Sequence, residues 1–276
     1  MTDTATSRTI ERTTSSPPIS DRALTIAGRM VNVRVHGDLE AKGPRPLVLH
    51  FHGGWFSCGT LDDGNSVARL FADAGALVAS VDYPLAPEHP FPVAIDTGYA
   101  ALEWLATLRG KRAHPTPVVL AGEEAGGNLA AAVAMMARDR DPDLAAGQVL
   151  FSPLLDPCMA SASVRQASIG VGGCSIACGW KEYLAQPGDI SHPYAAPAAA
   201  VRLAGMAPAL LVSFTGHPLH DDARRYAARL TGAGVEADEL DVAADPRKSG
   251  AAWPEDVQTR VRQFLAEHAS AAVTPR

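Results

Sequence analysis

The stretch V-V-L-A-G-E-E-A-G-G-N-L-A-A-A, residues 118–132, decides the fold. It opens on an unbroken apolar run, the composition of a strand buried on both faces. Gly122, Gly126 and Gly127 interrupt the run, and an alanine-rich helix follows directly. G-x-E-x-G between a strand and a helix is the layout of a nucleophile elbow, a sharp turn that lifts one side chain clear of the sheet. The lifted side chain is Glu124, where a hydrolase carries serine.

Outward from the elbow the chain alternates. Segments 46–51, 77–81, 117–121, 148–151, 209–214 and 238–242 read as strands, and 66–74, 94–109, 127–138, 221–232 and 255–268 as helices. Two further β-like runs, 22–26 and 31–35, come first. This alternation predicts an α/β fold, a mostly parallel central sheet with helices on both faces. Ligands in such sheets sit beyond the carboxyl ends of the strands, so the loops after Phe51, Ala121 and Phe214 are where chemistry is expected. Residues 155–205 break the alternation and read as a partly helical insertion that caps the site. Residues 1–20, rich in Thr, Ser, Arg and Pro, read as a disordered or loosely docked arm, and 21–276 as one domain.

Composition excludes several classes. The 276 residues carry 24 Lys plus Arg against 30 Asp plus Glu, a net charge of −6. No basic stripe is present, which argues against nucleic acid and against an anionic membrane surface. No apolar run reaches the roughly 18 residues needed to span a bilayer. Cys58, Cys158, Cys174 and Cys178 show no C-x-x-C spacing and no leader precedes them, so reduced thiols and a cytoplasmic location are expected. No metal site and no organic cofactor are expected.

Four motifs in order carry a family resemblance. H-F-H-G-G-W at 50–55 is similar to an oxyanion-hole H-G-G-G, and V-D-Y-P-L-A-P-E-H-P-F-P at 81–92 to a D-Y-R-L-A-P-E-x-P-F-P signature. G-E-E-A-G-G-N-L-A matches G-D-S-A-G-G-N-L-A, and H-P-L-H-D-D at 217–222 resembles the D-P-L-x-D-E run that holds a triad acid. The chain thus resembles the bacterial hormone-sensitive-lipase-like branch of the α/β-hydrolase esterases over about residues 24–267. The resemblance implies an α/β-hydrolase fold. It also implies an oxyanion hole of backbone N–H groups from Gly53, Gly54, Trp55 and Ala125, and homodimer formation as an option. At the three catalytic positions this sequence differs: Glu124 at the serine, His217 at the acid, and, by an ungapped count, Arg247 at the histidine.

Without serine and histidine the acyl-enzyme route has no nucleophile. Glu124 lies at a helix N-terminus, which favours its ionised form, whereas an apolar pocket favours the neutral one. Its longer side chain could meet His217 directly as an acid–base dyad. Two bland readings stand beside that one: the carboxylate could fold into the hole, or Arg247 could pair with it. The expectation is a non-hydrolytic acid–base catalyst on a small carbonyl-containing substrate, acting by elimination, decarboxylation, isomerisation or cyclisation. A catalytically silent binding protein and a residual hydrolase using water activated by Glu124 are the alternatives. Trp55, Cys58, Trp180 and Tyr183 are candidate pocket-lining residues.

Overall fold

The computed structural model describes residues 17–39, 45–107, 117–167 and 171–269. Most of the expected N-terminal arm, Arg109 and the side chain of Cys174 lie outside the described residues. The elements in chain order are β1 (Ile19–Ile26), β2 (Arg29–His36), β3 (Leu47–Phe51), α1 (Asn65–Asp73), β4 (Leu77–Val81) and α2 (Val93–Thr107). Then come β5 (Val118–Glu123), α3 (Ala125–Arg140), β6 (Ala145–Phe151), α4 (Ala162–Ala167) and α5 (Val171–Tyr183). The chain continues through β7 (Ala209–Phe214), α6 (His220–Gly232), β8 (Ala237–Val242), α7 (Pro246–Ser249) and α8 (Glu255–His268).

The eight strands form one sheet in the order β1-β2-β4-β3-β5-β6-β7-β8. β1 and β2 are antiparallel and every pairing from β3 to β8 is parallel. This is the mostly parallel α/β sheet expected from the alternation, and the α/β-hydrolase fold that the resemblance implies. Strands β3, β4, β5 and β7 are buried at every position, and period-two alternation splits their side chains between two cores. Leu47, Leu49 and Phe51 join one core with α2, α3 and α6; Val48, Val119 and Val212 join the other with α1 and α8. β1 begins at Ile19, inside the segment expected to be an arm, and Ile19–Asp21 pair with Arg34–His36. These residues are exposed. Backbone pairing at a sheet edge, rather than burial, carries them, and a hydrophobic pattern does not register that.

From β3 the chain passes through α1 to β4 on one side, then through α2 to β5 on the other. The carboxyl ends of β3 and β5 therefore flank a topological switch point, the natural crevice of such a sheet. Cap segment 155–205 carries α4, α5 and two single 3-10 turns. It is tied to α3 by Asn128, fully buried, whose amide donates to the carbonyls of Leu154 (2.9 Å) and Ala195 (3.1 Å).

Candidate active site

Three loops converge at the switch point. The first is the elbow. Glu124 has φ 51° and ψ −113° between β5 and α3, a conformation that costs a non-glycine residue about 1–3 kcal/mol and persists only where its surroundings enforce it. Here its N–H donates to Phe151 O at 3.0 Å, and its carbonyl accepts from Asn128 N–H (3.1 Å) and Leu154 N–H (2.9 Å). The flanking glycines are obligatory. A Cβ on Gly122 would stand 2.3 Å from Gly126 O, and one on Gly126 would stand 2.1 Å from Phe51 O.

The second loop follows β3. Gly54 has φ 115°, and a Cβ there would lie 2.0 Å from Cys58 O. Trp55 and Phe56 follow at φ 55° and 70°, so the turn is kept although a tryptophan fills the third glycine place. His52 braces it: its ring stacks on Tyr83 with centroids 4.4 Å apart, and Nδ1 lies 2.7 Å from Gly53 O. The loop abuts the elbow, since a Cβ on Gly53 would stand 3.0 Å from Glu124 Oε2. Among the described residues no N–H of Gly53, Gly54, Trp55 or Ala125 donates to the Glu124 carboxylate, so the carboxylate has not folded into the hole.

The third group brings a histidine and an arginine. His217 Nε2 lies 3.7 Å and Arg247 Nη2 3.6 Å from the same Glu124 Oε1. Leu219 N–H donates to His217 Nδ1 (3.2 Å), which leaves Nε2 as the protonated nitrogen of the neutral ring. Arg247 is placed by the segment D-P-R-K-S-G, residues 245–250: Asp245 caps α7, Pro246 opens it and Gly250 closes it in the left-handed region. Asp245 also grips the guanidinium at Nε (2.8 Å) and Nη2 (2.6 Å), and the cation sits over the Phe214 ring at 5.2 Å. Burial raises the Glu124 pKa, but the nearby His217 Nε2–H and the Arg247 charge outweigh it. The net shift is downward.

The structure thus brings Glu124, His217 and Arg247 to one point beside Gly53 and Gly54. Two candidate lining residues are placed otherwise. Tyr183 is 1% exposed and stacks on Phe56 with centroids 3.9 Å apart, and Trp180 packs on the same ring at 4.9 Å. They fasten the cap to the loop instead of lining the crevice. The contact is close: a Cβ on Gly179 would stand 2.1 Å from Trp55 O. Cys58 is exposed rather than a buried apolar residue, and its Sγ braces the turn at 2.9 Å from Gly54 O. Burial and then the charges of Glu124, Asp63 and Glu182 push its thiol pKa up, away from a reactive thiolate.

Sequence reasoning missed Asp245, although an acid before Pro with Gly five residues on is a helix-cap signature. It also missed a buried chain in which His50 lies 2.8 Å from both Ser80 Oγ and Glu123 Oε2. Among the described residues no group of three or more His, Cys, Asp or Glu is placed to hold a metal. No helix there is long and apolar enough to cross a membrane.

Residues 48–244 match the alpha/beta hydrolase fold family. The chain belongs to that family. It is 38% identical to the esterase LipI of Mycobacterium tuberculosis over 196 residues, 69% of this chain and 61% of that protein. It is 34% identical to the carboxylesterase NlhH of the same organism over 218 residues, 75% and 67% respectively. The match therefore spans about two thirds of the length of these curated relatives. The esterase LipW of Mycobacterium marinum superposes with a TM-score of 0.80 at 30% identity, covering 91% of this chain and 82% of its own.

These relatives overturn the expectation of elimination, decarboxylation, isomerisation or cyclisation, and that of a silent binding protein. They are named as ester hydrolases.

Proposed function

We propose that this protein is a carboxylic ester hydrolase in which Glu124 activates the attacking water. The observation that carries the reading is the position of the carboxylate: on the elbow, against the glycine loop, with one oxygen facing both His217 and Arg247. Its lowered pKa keeps it ionised near neutrality. In the proposed reaction Glu124 takes a proton from water as the water oxygen bonds to the ester carbon. The carbonyl oxygen becomes an oxyanion received by backbone N–H groups of Gly53, Gly54, Trp55 and Ala125. The carbon–oxygen bond to the alcohol then breaks, and the alcohol oxygen takes the proton back from Glu124. His217 and Arg247 hold the carboxylate in place, and no cofactor enters the balance.

The test is hydrolysis of aryl acetate and butanoate by the purified chain. Glu124→Gln is expected to lower the rate by about 10²–10⁴-fold, the usual share of a positioned base. A rate that survives this substitution, or no hydrolysis above buffer, would overturn the proposal.

A further inference from the structure

We infer that the cavity between α4 and the first turn of α6 is a binding subsite for a hydroxylated leaving alcohol. The inference rests on the hydrolytic reading of Glu124 and names the substrate class for it. The cavity measures about 450 Å³. On the cap side Ala162, Ser163, Gln166 and Ala167 line it; on the other side Gly216, His217, His220 and Asp221 do.

The walls select by chemistry. None of these side chains is aliphatic beyond alanine and none is a hydrocarbon ring, so an alkyl arm would find little apolar surface to bury against. Among the described residues no Lys or Arg lines the cavity, while Asp221 stays ionised. The Ser163 N–H lowers its pKa, burial opposes and His220 assists. A carboxylate or phosphate arm would meet repulsion with no cation to offset it. What remains is a neutral arm that both donates and accepts.

The polar groups are already in position. Ser163 N–H donates to Asp221 Oδ2 (2.9 Å), and Asp221 N–H donates to Ser163 Oγ (3.2 Å). This exchange fastens α4 to α6, and the Ser163 hydroxyl donates to the same carboxylate, so it can pass that hydrogen to a ligand only in exchange. Asp221, with a third of its side chain exposed, offers lone pairs in return. His220 is oriented between Asp221 Oδ1 (3.4 Å) and Asp241 Oδ1 (3.2 Å), and Gln166 supplies an amide with both functions. His217 joins the cavity to the chemistry, because the same side chain faces Glu124. In the proposed reaction the departing oxygen takes its proton from Glu124, so an alcohol arm lying beside His217 sets that oxygen at the carboxylate.

The test compares 2,3-dihydroxypropyl, propyl and 3-aminopropyl butanoate with the full chain. The dihydroxypropyl ester is expected to show a kcat/KM at least about tenfold above the propyl ester, as a site built to hydrogen-bond a hydroxyl rejects the analogue lacking it. Ser163→Ala with Gln166→Leu is expected to bring that ratio close to one. Because Ser163 also fastens two helices, Gln166→Leu alone is read too, and it is expected to reduce the ratio severalfold. A wild-type ratio of one or less, a ratio unchanged in both variants, or preference for the aminopropyl ester would each overturn the inference. Were none of the three hydrolysed, the hydrolytic reading would fall by itself, and the subsite is then read by NMR titration of the intact esters. About tenfold tighter binding of the dihydroxypropyl ester sustains it, and equal binding overturns it.

Discussion

His217 Nε2 and Glu124 Oε1 stand 3.7 Å apart, with the imidazole turned by the Leu219 N–H so that its protonated nitrogen faces the carboxylate. The separation lies just beyond hydrogen-bond length, and bonds of this kind commonly tighten only when substrate binds.

The first prediction concerns pH. Burial raises the Glu124 pKa and His217 is the first of the groups that bring it down. In the proposed mechanism the carboxylate form is active, so activity is lost as pH falls through its pKa. His217→Leu removes the opposing group and leaves the burial. The acidic limb of kcat/KM is expected to move to higher pH, with a smaller move in His217→Gln, which keeps a donor. A limb that stays put in both variants would separate His217 from the titration.

Isotope transfer distinguishes water activation from direct attack by the carboxylate. Turnover in heavy-oxygen water is expected to label the product acid and leave the peptide containing Glu124 unlabelled by mass spectrometry. Direct attack would pass through an anhydride, and water attacking its Glu124 carbonyl would deposit label in Glu124 over repeated turnovers, while hydroxylamine would trap the anhydride whichever carbonyl water attacks.

Arg247 and Asp245 are a buried pair, with side chains 12% and 4% exposed. Arg247→Met leaves Asp245 without its cation, and breaking a buried pair in this way costs on the order of 3–5 kcal/mol. Denaturant unfolding is expected to show a loss of that order. The double variant with Asp245→Asn is expected to recover part of it, since no orphan charge remains.

Glycine substitutions should divide sharply. Gly122→Ala and Gly126→Ala put a Cβ within 2.3 and 2.1 Å of backbone oxygen, where only movement of the elbow relieves the clash. Each is expected to cost more than the roughly 1–3 kcal/mol of ordinary overpacking and to disturb activity as well. Gly232→Ala, at the end of α6, meets nothing within 4 Å and is expected to raise stability by about 0.4–1 kcal/mol. Thermal melts of the three variants make the comparison.

Two buried groups far from Glu124 give stability opposite slopes with pH. Burial, then the charges of His50, Arg34 and Arg69, lowers His36 from 6.5 to about 4. Below pH 6.5 the unfolded chain binds the extra proton. The His36 contribution is therefore full above that value and is lost as pH falls through about 4, a swing on the order of 3 kcal/mol. Burial raises Asp222 from 3.8 to about 6. Its contribution is full below pH 3.8 and is lost as pH rises through about 6. His36→Leu should flatten the first slope and Asp222→Asn the second, as read from unfolding free energies between pH 4 and 7.

Much of this was legible in the sequence for a simple reason. Strands β4 and β7 and helix α8 are bounded by abrupt changes of period, and the elbow needs glycine where backbones nearly touch. The placement of Arg247 beside Glu124 came from counting along the chain, but its grip by Asp245 did not, because a short capped helix carries no hydrophobic period. Trp180 and Tyr183 misled because an aromatic side chain in a cap reads equally as lining or as packing. Only the position of Phe56 in space decides between them. The reaction class was misread at Glu124, where a changed side chain drew the inference away from the arrangement of loops around it.

Gly179 lets the backbone of α5 rest directly on Trp55. A cap joined to the oxyanion loop at van der Waals distance cannot swing aside without dragging that loop with it. Under the hydrolytic reading, opening and competence are then mutually exclusive states, and a substrate that needed the cap to open would meet a dismantled hole. The Ser163–Asp221 exchange closes α4 onto α6 in the same way, so the segment is held down at both ends.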